Sequence, residues 1–419
     1  MFDNTSDTHP TFVTHLECSQ TGKHYEADRL QGLSDAGKPL LVRYDLDGIA
    51  RAFDRAKLAA RAPDMWRYRE LLPVRSVENI VSLGEMMTPL IKAPETTRRL
   101  GGGAILVKDE GRLPTGSFKA RGLCVAVSKA RELGVNRIAM PTAGNAGAAL
   151  AAYCARAGIE TYVFCPEDTP EASIAEMALH GAVVYRINGN ITEIGPIIEA
   201  GKAAADWFSL ATLKEPYRVE GKKTMGLELA EQFGWQLPEV IFYPTGGGTG
   251  LIGMWKAFAE MEAIGWIGPK RPRMVAVQSS TCGPIARAFE KGCDTAEPWL
   301  GGYTAVPSLR VPWTVGDAII LRVLRDSNGF AVTVDDDEVE PARAEIARDD
   351  GIHLCPEGAA TLVAYRKALQ RRLISTEDRV VLFNCATGLK YPLPTVERRL
   401  DRTQPIDYAA IIAAGRVGR

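Results

Sequence analysis

The sequence predicts an α/β protein whose sheets are mostly parallel. Two observations support this prediction: apolar segments alternate with helical patterns, and four apolar segments run into loops of glycine and small polar residues. The clearest alternation has apolar strands at residues 104–107, 137–140, 160–164 and 182–185. The helical patterns between them begin or end near Ser117, Asn145, Pro170 and Trp207. Strands at this spacing with intervening helices indicate parallel βαβ units.

The first loop, residues 114–122 (PTGSFKARG), places Lys119 in a turn bracketed by glycine and serine at the start of an apolar-periodic helix. A desolvated site near a helix N-terminus disfavours an ammonium group, so this lysine is a candidate nucleophile toward a cofactor aldehyde. The backbone N–H groups of the same turn can bind an anion. A capped surface helix with Lys119 in water also fits the local pattern, and the segment alone leaves both interpretations open.

The second loop, residues 243–250 (YPTGGGTG), joins the apolar run 240–242 to a helical pattern. Its glycines let the backbone wrap around a phosphate at the positive end of the helix dipole. The loop has neither the Gly-Lys-Ser/Thr of a P-loop nor the following acidic residue of a dinucleotide site. For this loop considered alone, a tight turn between strand and helix is the alternative.

Two further apolar runs end in loops of the same kind. Residues 141–150 (PTAGNAGAAL) open a small-residue helix whose exposed N–H groups suit a carboxylate, and Asn145 either donates to a ring oxygen or caps the helix. Residues 380–384 are predicted to form a buried strand and run into residues 385–392 (CATGLKYP). Open α/β sheets bind ligands at the carboxyl ends of their strands, which is where all four loops lie.

These four loops, in this order, resemble those of the fold-type-II pyridoxal-phosphate enzymes. From about residue 41 to about residue 394 the chain is most similar to the group of threonine synthases and threonine or serine ammonia-lyases. The resemblance implies a fold like that of tryptophan synthase β, with two open, twisted, mostly parallel sheets flanked by helices. It also implies pyridoxal 5′-phosphate as cofactor, a small amino-acid substrate and a homodimer.

The resemblance assigns roles to individual residues. Lys119 would be the Schiff-base lysine and the base that moves the substrate's α-proton. The other implied cofactor contacts are Phe118, Asn145, Gly246, Gly247, Gly248, Thr249, Gly250 and either Cys385 or Thr387 at the pyridine nitrogen. The implied contacts of the substrate carboxylate are Thr142, Ala143, Gly144, Asn145 and Ala146. A neutral group at the pyridine nitrogen limits electron withdrawal, which favours elimination or replacement at the substrate side chain over transamination. A small buried hydrophobe is the alternative role of Cys385.

The segment 212–224 (TLKEPYRVEGKKT) is similar to the threonine synthase segment in which Asn, Ser and Arg bind the substrate's phosphate. Arg218 matches the arginine and is the implied substrate-binding residue, whereas Thr212 and Leu213 stand at the other two positions. Leu213 cannot donate a hydrogen bond. Lys214 or Lys222 could compensate as a point charge, or these basic residues could form a solvated helix face.

The resemblance therefore implies a threonine synthase-like lyase that converts O-phospho-L-homoserine and water to L-threonine and phosphate. Leu213 favours the alternative, an ammonia-lyase that converts threonine, serine or another β-hydroxy amino acid to a 2-oxo acid and ammonia. A third hypothesis, a ligand-binding or regulatory module on the same fold, conflicts with the intact lysine turn and glycine loop.

Residues 15–25 and 37–46 look like the zinc ribbon at the start of many threonine synthases, but its ligands are missing. The four ligand positions hold Cys18, Thr21, Ser34 and Ala36. A structural zinc needs four ligands, usually cysteine or histidine, and His15 and His24 are the further donors of this segment. The sequence thus predicts a degenerate ribbon without a metal.

Composition agrees with an enzyme in the cytoplasm. The net charge of −1 gives no field that attracts nucleic acid or a membrane surface, and eight cysteines without paired spacing indicate reduced thiols. No apolar run is long enough to span a bilayer. Residues 1–10 are predicted to be an unstructured start. Glu357, near a predicted helix start, could approach the active site or complement the dipole of that helix, and the second role is the expected one. Residues 335–338 are expected to begin another helix.

The resemblance also implies a domain organisation. Residues 1–45 would form the arm with the degenerate ribbon, and residues 46–134 and 208–419 the large cofactor-binding domain. Residues 135–207 would form a small mobile domain whose closure over the substrate excludes water.

Overall fold

The computed structural model describes residues 11–189, 191–395 and 398–416, so the predicted unstructured start at residues 1–10 lies outside the described residues. The described chain begins with an antiparallel N-terminal sheet of the strands β1 Val13–Cys18, β2 His24–Tyr25 and β3 Leu40–Tyr44. Strand β1 lies in the middle of this sheet, between β2 and β3. The helix α1, Leu46–Ala52, follows and is capped by the Asp45 carboxylate, which accepts from the Gly48 N–H.

The remaining elements build the body of the protein. From residue 90 to residue 209 they are, in chain order, β4 Leu90–Lys92, α2 Pro94–Leu100, β5 Ile105–Asp109, α3 Lys119–Glu132, β6 Arg137–Pro141, α4 Asn145–Ala157, β7 Glu160–Pro166, α5 Glu171–Leu179, β8 Val183–Ile187, α6 Ile191–Ala205 and β9 Phe208–Ser209. From residue 217 onward they are α7 Tyr217–Gln232, β10 Val240–Pro244, α8 Thr249–Ala263, β11 Arg273–Ser279, α9 Pro284–Glu290, α10 Asp317–Asp326, β12 Phe330–Val334, α11 Asp336–Asp350, α12 Pro356–Gln370, β13 Val380–Asn384 and α13 Tyr408–Arg416.

The large sheet comprises, within the described residues, six strands in the order β12-β11-β10-β13-β5-β4. All neighbours are parallel except the edge strand β4, which runs antiparallel to β5. Every residue of β10 and β13 is buried, as expected for parallel strands covered by helices on both faces. The continuous apolar runs in the sequence therefore mark the centre of this sheet.

The small sheet comprises, in the same part of the chain, four parallel strands in the order β8-β7-β6-β9. Ile194 and Ile198 of α6 pack on one face against Ala139 and Phe164. Strand β9 pairs with β6, so this sheet extends two residues beyond residue 207. The prediction of two open, mostly parallel sheets flanked by helices is confirmed. None of the helices in the described part of the chain has the length and apolar character needed to cross a membrane.

The turn before α3 is attached to the end of β13. The Phe118 N–H donates to the Cys385 carbonyl at 2.9 Å, and the Thr387 N–H donates to the Gly116 carbonyl at 2.8 Å. Because β5, β13 and β10 are adjacent and parallel, their carboxyl ends bring the lysine turn, the Cys385 segment and the glycine loop to one edge of the large sheet.

A buried ion network fixes α3 on α7. The Arg121 guanidinium lies 2.6 Å from Oε2 of Glu110 and 2.6 Å from Oε1 of Glu228, and Lys108 Nζ lies 2.7 Å from Oε2 of Glu228. These four side chains are fully buried. Although burial raises the pKa of Glu228, the charges of Arg121 and Lys108 lower it to about 2. Removing one partner of such a network leaves an uncompensated charge, which costs about 3–5 kcal/mol, so the start of α3 is rigidly held.

Candidate active site

A pocket lies between the carboxyl ends of the two sheets. It is lined by all four loops identified in the sequence, through Phe118, Lys119, residues 142–146, residues 246–250 and Cys385. Of the predicted site residues, Arg218 and Thr387 do not line it. The structure therefore brings together groups from segments more than two hundred residues apart.

Lys119 is the first residue of α3, and its Nζ lies 4.6 Å from the centroid of the Phe118 ring. Burial, and to a smaller extent the Arg218 charge, lower the pKa of Lys119 to about 8, although Cys385 and Glu357 oppose the shift. A larger fraction of this amine is therefore neutral near pH 7 than for an ordinary lysine, as a nucleophile or base requires. The Lys119 side chain reaches the pocket, unlike a solvated helix residue.

The glycine loop leads directly into the 15-residue helix α8, which begins at Thr249. Gly248 has φ +76°, a conformation that a side chain disfavours. A Cβ atom on Gly246 would lie only 2.4 Å from the Ser308 carbonyl oxygen. The loop thus brings bare backbone and a helix N-terminus to the pocket, which is an arrangement suited to an anion.

The loop after β6 is organised by the buried Thr142 hydroxyl. Its Oγ1 accepts from the N–H groups of Gly144 at 3.1 Å and Gly147 at 2.9 Å. Gly144 is the N-cap of α4, so Asn145 does not cap the helix. Instead the Asn145 side-chain amide donates to the Tyr391 hydroxyl at 3.2 Å.

The two candidates for the pyridine nitrogen occupy different environments. Cys385 is buried and lines the pocket, and burial raises the pKa of its thiol, with the Glu357 carboxylate adding to the rise. The Thr387 hydroxyl instead accepts from the Leu389 N–H at 3.3 Å, at the start of the 3-10 turn Gly388–Lys390. A neutral thiol is therefore the polar group that this strand end presents to the pocket.

Glu357 lines the pocket, whereas the sequence favoured the role of a first-turn glutamate that complements a helix dipole over an approach to the active site. It is fully buried near the start of α12, where its Oε1 accepts from the Ser308 N–H at 3.1 Å. Its Oε2 has no hydrogen-bond partner among the described residues. A first-turn glutamate is common at the surface, and no local signal in the sequence distinguishes this buried carboxylate from one in water.

The predicted phosphate segment is split between the pocket and its surroundings. Thr212 and Lys214 line the pocket, whereas Leu213 is buried with φ +59°. Arg218 lies behind Thr212, and its Nη1 donates to the Thr212 hydroxyl at 3.2 Å. The Nε and Nη2 atoms of Arg218 are buried without a hydrogen-bond partner in the described chain. Lys222 donates to the Phe118 carbonyl and does not reach the pocket.

Comparison with known proteins finds a matching family model, similar sequences and similar structures. A protein-family model described as pyridoxal-phosphate dependent enzyme matches residues 81–386. Threonine synthase of Methanocaldococcus jannaschii is 33% identical over 376 residues, which are 90% of this chain and 92% of that protein. Threonine synthase of Methanosarcina acetivorans is 33% identical over 385 residues, which are 91% and 94% of the two chains. The processed form of threonine deaminase isoform 2 from Solanum lycopersicum has the same fold, with a TM-score of 0.63 at 16% identity over 87% of this chain and 89% of that one.

A lysine of lowered pKa beside a glycine loop, at the edges of two parallel sheets, defines a fold-type-II pyridoxal-phosphate enzyme. The chain belongs to the family of pyridoxal-phosphate-dependent enzymes. Its cofactor is pyridoxal 5′-phosphate. The residues present fit the cofactor, because the glycine loop leaves no room for a Cβ at Gly246 or Gly248 and the nearby lysine is partly neutral.

Proposed function

We propose that this protein converts O-phospho-L-homoserine and water to L-threonine and phosphate. The observation that carries the proposal is the charge of the pocket. Lys214 and Arg310 line it in addition to Lys119, and Glu357 is the one carboxylate among the described residues of its lining. An excess of basic groups suits a substrate that brings a phosphate as well as a carboxylate.

The phosphate of the substrate would bind at Thr212 and Lys214. The Thr212 hydroxyl is oriented by Arg218, whose Nε and Nη2 have no hydrogen-bond partner among the described residues and whose positive charge adds to the phosphate site. Lys214 adds a point charge. The side chain of Leu213 is directed toward Gly316, where it occupies the space that a Cβ atom would need. Leu213 therefore contributes no donor to this phosphate site, which would depend on Thr212 and Lys214.

When bound, pyridoxal 5′-phosphate supplies an electron sink for the substrate α-carbon. Lys119 would carry the cofactor and move the α-proton. Residues 246–250 would hold the cofactor phosphate at the N-terminus of α8. The Cys385 thiol would meet the pyridine nitrogen, and because it is neutral it would favour reaction at the substrate side chain.

The loop 142–146 would bind the substrate carboxylate with its backbone N–H groups. The Thr142 hydroxyl contributes by holding the loop in shape, since its hydrogen bonds are made within the loop. Asn145 would face the phenolic oxygen of the cofactor, with its amide oriented by Tyr391. Phe118 would form part of the wall beside the cofactor.

We further propose that residues 135–207 move as a small domain that closes over the substrate. Two ion pairs already cross the cleft, from Lys390 to Glu176 at 2.6 Å and from Arg310 to Asp168 at 2.8 Å. Closure would exclude water from the reacting groups, which strengthens their electrostatic interactions.

The proposal also includes a homodimer. Light scattering coupled to gel filtration tests this oligomeric state.

A second candidate function is the release of ammonia from threonine, serine or another β-hydroxy amino acid. The observation that favours it is Leu213, which stands where a hydrogen-bond donor is expected for the substrate phosphate. In this reaction the hydroxyl group leaves the β-carbon, and the basic groups of the pocket would have no second anion to bind.

A product assay distinguishes the two candidates. Cofactor-loaded protein is given O-phospho-L-homoserine or L-threonine, and the products are identified by NMR. Threonine and inorganic phosphate from the first substrate are the expected result. Formation of 2-oxobutanoate and ammonia from threonine, with no turnover of the phosphorylated substrate, would replace the proposal by the second candidate.

The Lys214→Met variant sharpens this assay. We expect it to raise KM for O-phospho-L-homoserine about 10-fold or more, because a charged hydrogen bond contributes about 1.5–3 kcal/mol. Lys202→Met is the matched control, since Lys202 lies on the exposed part of α6 in an ion pair with Glu199. Equal KM values in the two variants would contradict the role of Lys214.

A further inference from the structure

Three potential metal ligands meet on one face of the N-terminal sheet. His15 and Glu17 are two residues apart in β1, so their side chains leave the same face of the strand. His24 is the direct partner of Glu17 in the pairing of β1 with β2. One donor atom from each of His15, Glu17 and His24 lies within 4.8 Å of the other two, and no other group of this kind occurs in the described part of the chain.

The donor atoms converge on one carboxylate oxygen. Oε2 of Glu17 lies 3.9 Å from Nε2 of His15 and 4.0 Å from Nε2 of His24, and the two imidazole rings are stacked with centroids 3.9 Å apart. These separations exceed a hydrogen bond. Two bonds of about 2.1 Å at a tetrahedral zinc ion hold their donor atoms about 3.4 Å apart, so each of these two separations would have to shorten by about 0.5–0.6 Å.

The hydrogen bonds of Thr14 favour a His15 tautomer that leaves Nε2 free to bind a cation. The Thr14 hydroxyl donates to the Arg43 carbonyl at 3.2 Å, and in that arrangement its oxygen accepts the N–H of His15 Nδ1 at 2.9 Å. This tautomer places the lone pair on Nε2, which is buried and has no hydrogen-bond partner among the described residues. A lone pair that faces a carboxylate oxygen is an unfavourable arrangement, and a cation between the two atoms relieves it.

The carboxylate of Glu17 is positioned by a neighbouring strand. Its Oε1 accepts from the Arg43 guanidinium at 2.7 Å, which leaves Oε2 directed at the two imidazoles. Thr14 holds one imidazole and Arg43 holds the carboxylate, as outer hydrogen-bond partners commonly orient metal ligands. Two of the three ligands are thus oriented before a metal binds.

The group is separate from the positions of the degenerate ribbon. Cys18 lies in β1 one residue after Glu17, so its side chain leaves the opposite, buried face of the sheet. The Cys18 thiol hydrogen-bonds to the Ser34 hydroxyl at 3.2 Å. The expectation of no metal treated His15 and His24 only as further donors for the four ribbon positions. The present group combines them with Glu17 and uses none of those four positions.

We propose that the N-terminal sheet binds one zinc-type divalent cation through His15, Glu17 and His24, with water in the fourth position. Two imidazoles and one carboxylate form a ligand set that zinc and its late first-row neighbours accept. The cation joins the two-residue strand β2 to β1 and so stabilises the arm. The His24 side chain is 65% exposed, which makes the site open to solvent and weaker than a closed four-ligand site.

The test uses the cofactor-loaded full chain after dialysis against a chelator. Zinc chloride is titrated by calorimetry, and cobalt chloride is followed by visible absorption. We expect one equivalent of metal to bind and to raise the melting temperature. His24→Ala and Glu17→Gln, at partly exposed positions that tolerate substitution, should each weaken binding at least 10-fold and abolish the thermal shift.

Two control variants distinguish this site from others. Cys18→Ser removes the remaining ribbon cysteine, and His180→Ala removes a histidine at the end of α5; both should bind zinc as the unsubstituted protein does. The proposal is overturned if the unsubstituted protein binds no metal or if His24→Ala and Glu17→Gln keep full affinity. Loss of binding in Cys18→Ser, together with a thiolate-to-cobalt absorption band, would place the metal at the ribbon and would likewise overturn it.

Discussion

Nη1 of Arg310 lies 2.8 Å from Oδ2 of Asp168, and this ion pair joins the two sides of the active-site cleft. Arg310 follows the 3-10 turn Pro307–Leu309 and lines the pocket, whereas Asp168 follows β7 of the small sheet. Because the Asp168 side chain is exposed, the pair contributes only about 0–1 kcal/mol to stability. Its main effect is to position the guanidinium at the pocket.

We therefore expect Asp168→Asn to leave the melting temperature unchanged and to raise KM for the phosphorylated substrate by up to about 5-fold, which corresponds to about 1 kcal/mol. Arg310→Met should raise KM further, because it removes the charge as well as its orientation. Steady-state kinetics and thermal unfolding of both variants measure these effects. A fall in kcat at constant KM in Asp168→Asn would contradict a positioning role.

The glycine loop allows a test with a matched control. Gly248 and Gly265 both have φ +76°, but a Cβ atom on Gly248 would lie 2.2 Å from Ile320 Cδ1, whereas nothing lies within 4 Å of one on Gly265. Substitution by alanine should strain both backbones by about 1–2 kcal/mol. Gly248→Ala alone should also distort the loop and weaken cofactor binding.

Urea unfolding of the cofactor-free protein and titration with cofactor separate these two effects. The expected outcome is a similar destabilisation by backbone strain in both variants, with additional destabilisation from the contact in Gly248→Ala. Only Gly248→Ala should show a higher Kd for pyridoxal 5′-phosphate. The same Kd in both variants would count against the assignment of this loop to the cofactor phosphate.

Much of this architecture could be predicted from the sequence because its signals are local. Continuous apolar runs marked the central strands β10 and β13, and glycines marked the loops that follow strands. The two-residue strand β9 carries no such pattern, and its pairing with β6 is decided by tertiary contacts. A short edge strand such as β9 is therefore an element that the sequence does not predict.

The site could likewise be predicted only where its signals are local in the sequence. The loops that line the pocket carry glycine and small residues, which are visible in the sequence. The burial of Glu357 and the location of Arg218 behind Thr212 depend on how distant segments pack. The turn at Leu213, with φ +59°, directs Lys214 to the pocket, and residue spacing alone does not indicate it.

The identity of the cofactor lysine can be tested directly. Reduction of the cofactor-loaded protein with borohydride, followed by peptide mass spectrometry, should place the cofactor on Lys119. Lys119→Ala should show no label and should lose activity by at least about 100-fold, since a positioned proton-transfer group contributes that much. Lys222→Met is the control, because Lys222 Nζ lies 4.0 Å from the same Phe118 ring but does not line the pocket. Label on Lys222 in the Lys119→Ala variant would contradict the assignment.

The reactivity of Lys119 should depend on pH with a midpoint near 8, because burial together with the neighbouring charges lowers the pKa of its amine to about that value. Only the neutral amine attacks an aldehyde, so the rate at which the cofactor-free protein captures pyridoxal 5′-phosphate should rise with pH and level off about one pH unit above that midpoint. Stopped-flow absorbance measures this rate.

Two variants should move this midpoint in opposite directions. The Arg218 charge lowers the pKa of Lys119, so Arg218→Met should shift the midpoint to higher pH. The Glu357 carboxylate raises the pKa of Lys119, so Glu357→Gln, which keeps the shape of the side chain, should shift the midpoint to lower pH. Circular dichroism checks that both variants are folded. Shifts of the same sign, or none in Glu357→Gln, would show that burial alone sets the pKa of Lys119 and that the two charged groups flanking it do not tune its reactivity.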